Sequence, residues 1–228
     1  MKGYFITGTD TGVGKTVVSL ALMHALQAQG KSVAGMKPVS AGCLKTEYGL
    51  RNDDALQLQK AATTEIPYEI VNPYAYEPPI APHIAAHQLG DQISINRIED
   101  CFNVIASQSD LVIVEGAGGW LVPINENETM ADVAVRLNLP VVLVVGMRLG
   151  CLNHALLTVE SIQNHGGKLA GWVANQTDQN MLNSNENMRS LEARIEAPML
   201  GVIPWSNSIT SAYTSPHINL KLLFRSIN

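Results

Sequence analysis

Cysteine is scarce in this chain of 228 residues: Cys43, Cys101 and Cys151 lie far apart, with no C-x-x-C spacing. An odd, dispersed set argues against a disulfide framework and a zinc cluster, and predicts small buried or half-buried thiols. Positive charge is also in short supply, with 15 Lys and Arg against 20 Asp and Glu and a formal net charge of −5. That balance gives no electrostatic footprint for nucleic acid, and no Lys/Arg-rich block marks a membrane surface. No apolar run approaches the roughly 18–20 residues of a membrane span. The opening Met-Lys-Gly-Tyr-Phe-Ile-Thr-Gly runs straight into a Gly-rich loop. A removable leader would have to be cut through that loop, so none is expected. A soluble protein of a reducing cytosol is the expectation.

What is present is globular. The hydrophobic share is 46% and the charged share 15%, values that suit one medium domain over residues 1–228. Short apolar runs alternate with longer amphipathic stretches. Strands are predicted over Tyr4–Thr7, Ser32–Met36, Leu111–Val114, Val141–Val145, Leu169–Ala174 and Met199–Ile203. Helices are predicted over Thr16–Gln29, Asp53–Ala62, Ile95–Ser107, Thr129–Leu137 and Asn153–Asn164. The apolar runs alternate little, as expected of strands covered on both faces. This α/β rhythm predicts an open, doubly wound, mostly parallel sheet between two helix layers, a three-layer α/β/α architecture. Two stretches break it. Ile66–His87 carries five prolines and reads as an irregular excursion. Gln176–Asn187 is rich in Asn, Gln, Ser and Asp and reads as a mobile surface loop.

The chemistry gathers at predicted strand ends. Gly8-Thr9-Asp10-Thr11-Gly12-Val13-Gly14-Lys15-Thr16 joins a buried strand to an apolar helix. Such a loop aims backbone N–H groups and a helix dipole at one anion. Gly12 and Gly14 let the backbone approach a phosphate, Lys15 reaches the β/γ oxygens, and Thr16 offers a hydroxyl to Mg²⁺. The spacing is a variant, because Thr9 occupies the usual first-glycine place and Gly8 sits one earlier. Glu115 ends Asp110-Leu-Val-Ile-Val-Glu and precedes Gly116-Ala117-Gly118-Gly119. A carboxylate there can hold a nucleotide's metal, or simply face solvent. Asp53 and Asp54 open a helix, where acids commonly serve as dipole partners. Lys37, ahead of Pro38, is either a site residue or a surface group. Asn175 could pair with adenine or form a turn. His83, His87 and His154 lack metal-ligand spacing and read as structural.

Taken together these pieces resemble the dethiobiotin synthetase family, ATP-dependent ring-closing enzymes of biotin biosynthesis. The resemblance rests on the loop at 8–16, Lys-Pro-Val at 37–39, Leu-Arg-Asn-Asp-Asp-Ala at 50–55 and Val-Asn-Pro-Tyr at 71–74. It continues through Val-Glu-Gly-Ala-Gly-Gly-Trp at 114–120, Leu-Gly-Cys-Leu-Asn-His-Ala at 149–155, Ala-Gly-Trp-Val-Ala-Asn at 170–175 and Ile-Pro-Trp at 203–205. It implies a homodimer with its active site at the subunit interface, converting 7,8-diaminononanoate, CO₂ and MgATP to dethiobiotin, ADP and phosphate. By position, it implies that Lys15, Lys37 and Thr11 serve the reacting groups, and that Thr16, Asp54 and Glu115 surround Mg²⁺. Gly12, Val13, Gly14, Lys15, Thr16, Val17, Gly116, Ala117 and Gly118 would line the nucleotide. Asn175, Gln176, Pro204, Trp205 and Ser206 would hold its adenine end. Gly150, Cys151, Leu152 and Asn153 would receive the substrate carboxylate from the other subunit.

Some positions depart from the family pattern. The substrate-contacting hydroxyl expected four residues after Lys37 is Ala41, with Ser40 one earlier as a possible substitute. Gln176 stands where Asp is common, and no aromatic residue lies near Asn187. The segment after Trp205 lacks an acid. Two other classes compete with this reading. A dimeric partitioning or septum-positioning ATPase carries a signature lysine near the start of this loop, where Asp10 stands. An ATP-dependent amidase of cobalamin biosynthesis needs a glutaminase domain, for which 228 residues leave no room.

Overall fold

The computed structural model describes residues 2–206, 210 and 214–225. β1 (Gly3–Gly8) enters the Gly-rich loop, α1 (Lys15–Gln27) leaves it, and β2 (Val33–Met36) follows. Next come the short strands β3 (Val39–Ser40), β4 (Leu44–Thr46) and β5 (Gly49–Arg51), then α2 (Asp53–Ala61) and α3 (Tyr68–Val71). β6 (Tyr74–Ala75), α4 (Pro82–Gln88), α5 (Ile95–Ser107), β7 (Leu111–Glu115) and α6 (Met130–Arg136) lead to β8 (Val141–Gly146). α7 (Cys151–Asn164), β9 (Leu169–Asn175), α8 (Ser184–Glu192) and β10 (Met199–Ile203) follow, and α9 (Leu220–Arg225) comes after a short 3₁₀ turn.

Six strands form one parallel sheet in the order β10-β9-β8-β1-β7-β2. All six residues of β1 are buried, as a strand covered on both faces requires. Side chains alternate across it. Tyr4 and Ile6 join Ile113, Val142 and Val144 under Val18, Ala21, Leu22 and Leu26 of α1. Phe5 turns the other way, into a cluster with Val112, Val114 and the apolar face of α5, including Ile98, Phe102 and Ile105. A third cluster packs Leu143, Val145 and Trp172 against α7 and α8. Register fixes the site. Ile6 lies opposite Glu115, and Met36 lies opposite Val114. The C-terminal ends of β1, β7 and β2 therefore sit side by side, which is where ligands gather in open parallel sheets.

Three expectations need correction. The proline-rich stretch is more ordered than expected, because it contains α3, β6 and α4, and β6 pairs with β3 in parallel. Its prolines start helices instead of forbidding them: Pro67 is the residue before α3 and Pro82 is the first of α4. The polar stretch Gln176–Asn187 is not all loop either, since α8 begins at Ser184. The apolar anchors of α8, Met188 and Leu191, lie beyond the stretch whose polarity suggested a loop. α7 also starts at Cys151, two residues earlier than expected, directly after Gly150 at φ 94.

Candidate active site

The Gly-rich loop is held by its neighbours. Gly12 and Gly14 adopt φ 73 and 90, left-handed values that favour glycine. Asn175, at the end of β9, donates from Nδ2 to the Val13 carbonyl at 2.8 Å. A Cβ on Gly14 would lie 2.1 Å from that Nδ2, so the tether and the glycine require each other. At the loop's tip, Thr11 donates its backbone N–H to Asp10 Oδ1 at 2.7 Å, and Arg148 forms an ion pair with the same carboxylate. The Thr11 N–H, with Arg148 beside it, holds the Asp10 carboxyl below its usual range. Lys15 Nζ donates to the Asp10 carbonyl at 3.0 Å.

Below the loop lies a buried charge cluster. Lys37 Nζ sits 2.6 Å from Glu115 Oε1 and 3.1 Å from Asp54 Oδ2. Glu115 Oε1 also accepts from Thr16 Oγ1 at 2.9 Å. Burial opposes charge on Lys37, but the carboxylates of Glu115 and Asp54 outweigh it and raise its pKa. For Asp54, burial pushes upward, yet Lys37 and the Thr16 hydroxyl bring its pKa below the usual value. Lys15 differs. Its burial, helped by the positive charge of Lys37, lowers its pKa to about 8. Glu115 is fully buried, and its Oε2 has no hydrogen-bond partner among the described residues. A buried carboxylate oxygen left without a donor is costly unless a cation or another donor meets it.

These groups line a cavity of about 860 Å³. Its wall includes Thr11, Gly12, Gly14, Lys15, Thr16, Val17, Lys37, Ser40, Ala41, Asp54, Glu115, Ala117 and Gly118. Gly116 adds its carbonyl, 3.5 Å from Lys37 Nζ. Lys37 and Glu115 are buried rather than surface groups, whereas Asp54 stays half-exposed in the first turn of α2, where it also suits a dipole partner, and Asp53 beside it is exposed. Ser40 reaches the wall, but its hydroxyl donates to Asn72 Oδ1 at 2.8 Å. Gln176 and Trp205 line a second hollow of about 560 Å³, and Pro204, Trp205 and Ser206 are half-buried. Asn175 faces the loop, with one amide hydrogen committed to Val13. Gly150, Cys151, Leu152 and Asn153 lie outside the first cavity, at the uncapped start of α7. The three cysteines are buried and free. Among the described residues no group of three or more His, Cys, Asp and Glu stands together as a metal site.

Sequence reasoning missed three groups of contributors. Arg148 is 138 positions from Asp10, and no local pattern announces their pairing. Pro79, Ile80, Ala81 and Pro82 complete the cavity wall, and their clustered prolines were the available signal. Asn72 and Tyr68 lie behind the wall, in the quoted Val-Asn-Pro-Tyr motif and just ahead of it.

Comparison with known proteins decides the family. An ATP-dependent dethiobiotin synthetase of Cellvibrio japonicus is 53% identical over 219 residues, covering 96% of each chain. The chain belongs to the dethiobiotin synthetase family. The dethiobiotin synthetase of Pseudomonas aeruginosa strain PAO1 is 47% identical over 98% of each chain. A family profile described as an AAA domain matches residues 2–212. Among solved structures, the MinC:MinD cell division complex of Aquifex aeolicus superposes with TM-score 0.58 at 17% identity, covering 99% of this chain and 89% of that one. A ParA family ATPase of Chlorobium tepidum gives 0.56 at 15% identity over the whole of both chains. At such identities the likeness shows the P-loop fold alone. The dethiobiotin synthetase relatives set the enzyme class: the protein is an ATP-dependent ligase.

Proposed function

We propose that the cavity above the charge cluster is where 7,8-diaminononanoate, CO₂ and ATP become dethiobiotin, ADP and phosphate. The observation that carries this reading is Lys37, buried between two carboxylates beside a phosphate-binding loop, with one Glu115 oxygen still unpartnered. The site residues suit the chemistry. One substrate amine adds to CO₂ and sheds a proton, giving a carbamate. A carbamate oxygen then takes the γ-phosphoryl group and ADP departs. The second amine attacks the carbamoyl carbon, closes the cyclic urea and expels phosphate. Transfer of this kind depends mostly on positioning and charge neutralisation.

Lys15 and the loop N–H groups hold the phosphate oxygens, and contact with that anion returns the Lys15 proton at pH values near 8. Lys37 presents a fixed cation to the carbamate and the transferring phosphoryl group. Thr11 stands at the cavity edge near the amines. Thr16, Asp54 and Glu115 offer an all-oxygen donor set, and the orphaned Glu115 Oε2 fits a hard cation, so these three would hold Mg²⁺. When bound, the ion supplies neutralisation of the phosphate charge. Gln176, Pro204, Trp205 and Ser206 bound the adenine end. Asn175 can face the base with its carbonyl and its second amide hydrogen while keeping its tether to Val13.

We infer further that residues 1–228 act as one domain and that a second copy completes the site. Gly150–Asn153 lie outside this chain's own cavity, at a start of α7 whose N–H groups no side chain caps, and Leu149 beside them is 96% exposed. Those groups suit the substrate carboxylate in a neighbouring subunit. Three buried free thiols suit a reducing cytosol.

The test is direct. The protein is incubated with MgATP, labelled bicarbonate and the diamine, and a labelled cyclic urea with matching ADP release is expected. No diamine-dependent ADP and no labelled urea would sink the reading.

A further inference from the structure

Behind the cavity wall, four residues from three segments of the chain form a hydrogen-bonded relay. Asn72 is buried, and all of its amide capacity is used. Nδ2 donates to the Lys37 carbonyl at 2.6 Å and to the Tyr74 carbonyl at 3.2 Å. Oδ1 accepts from Ser40 Oγ at 2.8 Å and from Tyr68 Oη at 2.9 Å. Two carbonyls on one side and two hydroxyls on the other fix which way the amide points. Tyr68 Oη in turn accepts the Asn52 backbone N–H at 2.7 Å. Asn52 caps α2 through Oδ1 and the Ala55 N–H at 3.1 Å, and α2 carries Asp54 two residues on. Burial raises the Tyr68 pKa, so the hydroxyl remains a donor.

The direction of the relay has a chemical consequence. Ser40 spends its only proton on Asn72, so Cys43 Sγ, 3.2 Å from Ser40 Oγ, must be the donor in that pair. Whatever capacity Ser40 keeps is acceptor capacity, suited to an N–H of an amine rather than to a carboxylate. The relay also spans the site. One end grips the Lys37–Ser40 segment and the other grips the cap of the helix that bears Asp54. Those two segments meet at the cavity through the Lys37–Asp54 contact, above the place where Leu58 of α2 packs close against Gly35 of β2.

We propose that Tyr68 and Asn72 are positioning residues for ring closure, setting the separation of Lys37 and Ser40 from Asp54 without touching substrate. This rests on the site assignment made above. The relay acts on both walls at once, so its loss changes catalysis more than nucleotide capture, which the Gly-rich loop performs.

Tyr68→Phe tests this while keeping the ring stacked under Arg51, whose guanidinium lies 4.1 Å from its centroid. Tyr76→Phe is the control. It removes a similar hydroxyl, bonded to Asp91 at 2.9 Å, from the same region but outside the relay. Tyr68→Phe is expected to lower kcat about tenfold, the effect of one buried hydrogen bond of roughly 1.4 kcal/mol. The ATP KM should stay within about twofold, and the Mg²⁺ concentration for half-maximal rate should rise as Asp54 shifts. Tyr76→Phe should keep kcat within about twofold. Folded fraction is followed by circular dichroism at the assay temperature. A kcat for Tyr68→Phe that stays near wild type, or falls only as the folded fraction falls, would overturn the proposal. If the wild type makes no labelled urea the site assignment fails, an outcome distinct from a wild type that works and a Tyr68→Phe that works equally well.

Discussion

At the scale of single residues, Lys15 and Lys37 divide the work through opposite environments. Lys15 is buried near another cation, and its pKa falls to about 8; Lys37 is buried between two anions, and its pKa rises. Near pH 8 about half of the free protein lacks the Lys15 proton, and an incoming phosphate raises that pKa and draws a proton in. MgATP binding at pH 8 should therefore take up about half a proton, and much less at pH 7. Calorimetry in two buffers of different ionisation enthalpy measures it, and buffer-independent heats at pH 8 would show that Lys15 already carries its proton in the free protein. Above pH 8 the ATP affinity should weaken, because the required charge must be restored from a more dilute proton supply. Lys37→Ala should keep nucleotide binding and lose turnover. It also leaves Glu115 buried and unpaired, which costs about 3–5 kcal/mol of stability, visible as a lowered melting temperature. Unchanged turnover would reduce Lys37 to a structural lysine.

At the scale of elements, the loop works because β9 braces it. Gly14→Ala should abolish ATP binding, since its Cβ would lie 2.1 Å from Asn175 Nδ2. Adding Asn175→Ala should restore part of it, leaving the roughly 1–2 kcal/mol of the left-handed backbone. A double variant no better than Gly14→Ala would dismiss the brace. The main strands and the loop were legible in the sequence because buried parallel strands leave unbroken apolar runs and a phosphate loop keeps its glycines. The β4–β5 hairpin was not. Leu44, Lys45 and Thr46 are all exposed, so no alternation marks a buried face. α3 and α4 hid behind prolines that in fact open them. The site followed the same divide. Glu115 and Lys37 announce themselves at strand ends, whereas Asn72 reaches Lys37 and Ser40, and Arg148 reaches Asp10, all far away in the chain.

At the scale of the whole molecule, the proposed two-subunit site makes a mixing experiment decisive. Lys37→Ala and Gly150→Val should each be inactive as homodimers, the second because valine disfavours the φ of 94 that starts α7. A hybrid dimer carries both lesions in one site and neither in the other. Equal mixing followed by subunit exchange should thus recover about a quarter of wild-type activity, since half of the dimers are hybrids with one intact site. No recovery from fully exchanged subunits would show that one chain supplies both residues to a site.

The register of the central sheet sets a tolerance for all of this. Glu115 ends β7, and Lys37 directly follows Met36, the residue opposite Val114. The ion pair is thus a rung added to the ladder, its span set by the spacing of about 4.8 Å between neighbouring strands. The sheet behaves as a ruler whose graduations are backbone hydrogen bonds. Side-chain mobility in the surrounding helices can blur the edges of the cavity without altering the distance between its central charges. A redesign that keeps the ruler can change what the cavity admits. One that slips β2 by a single residue would carry the lysine to the other face of the sheet, and no change at the cavity wall could compensate.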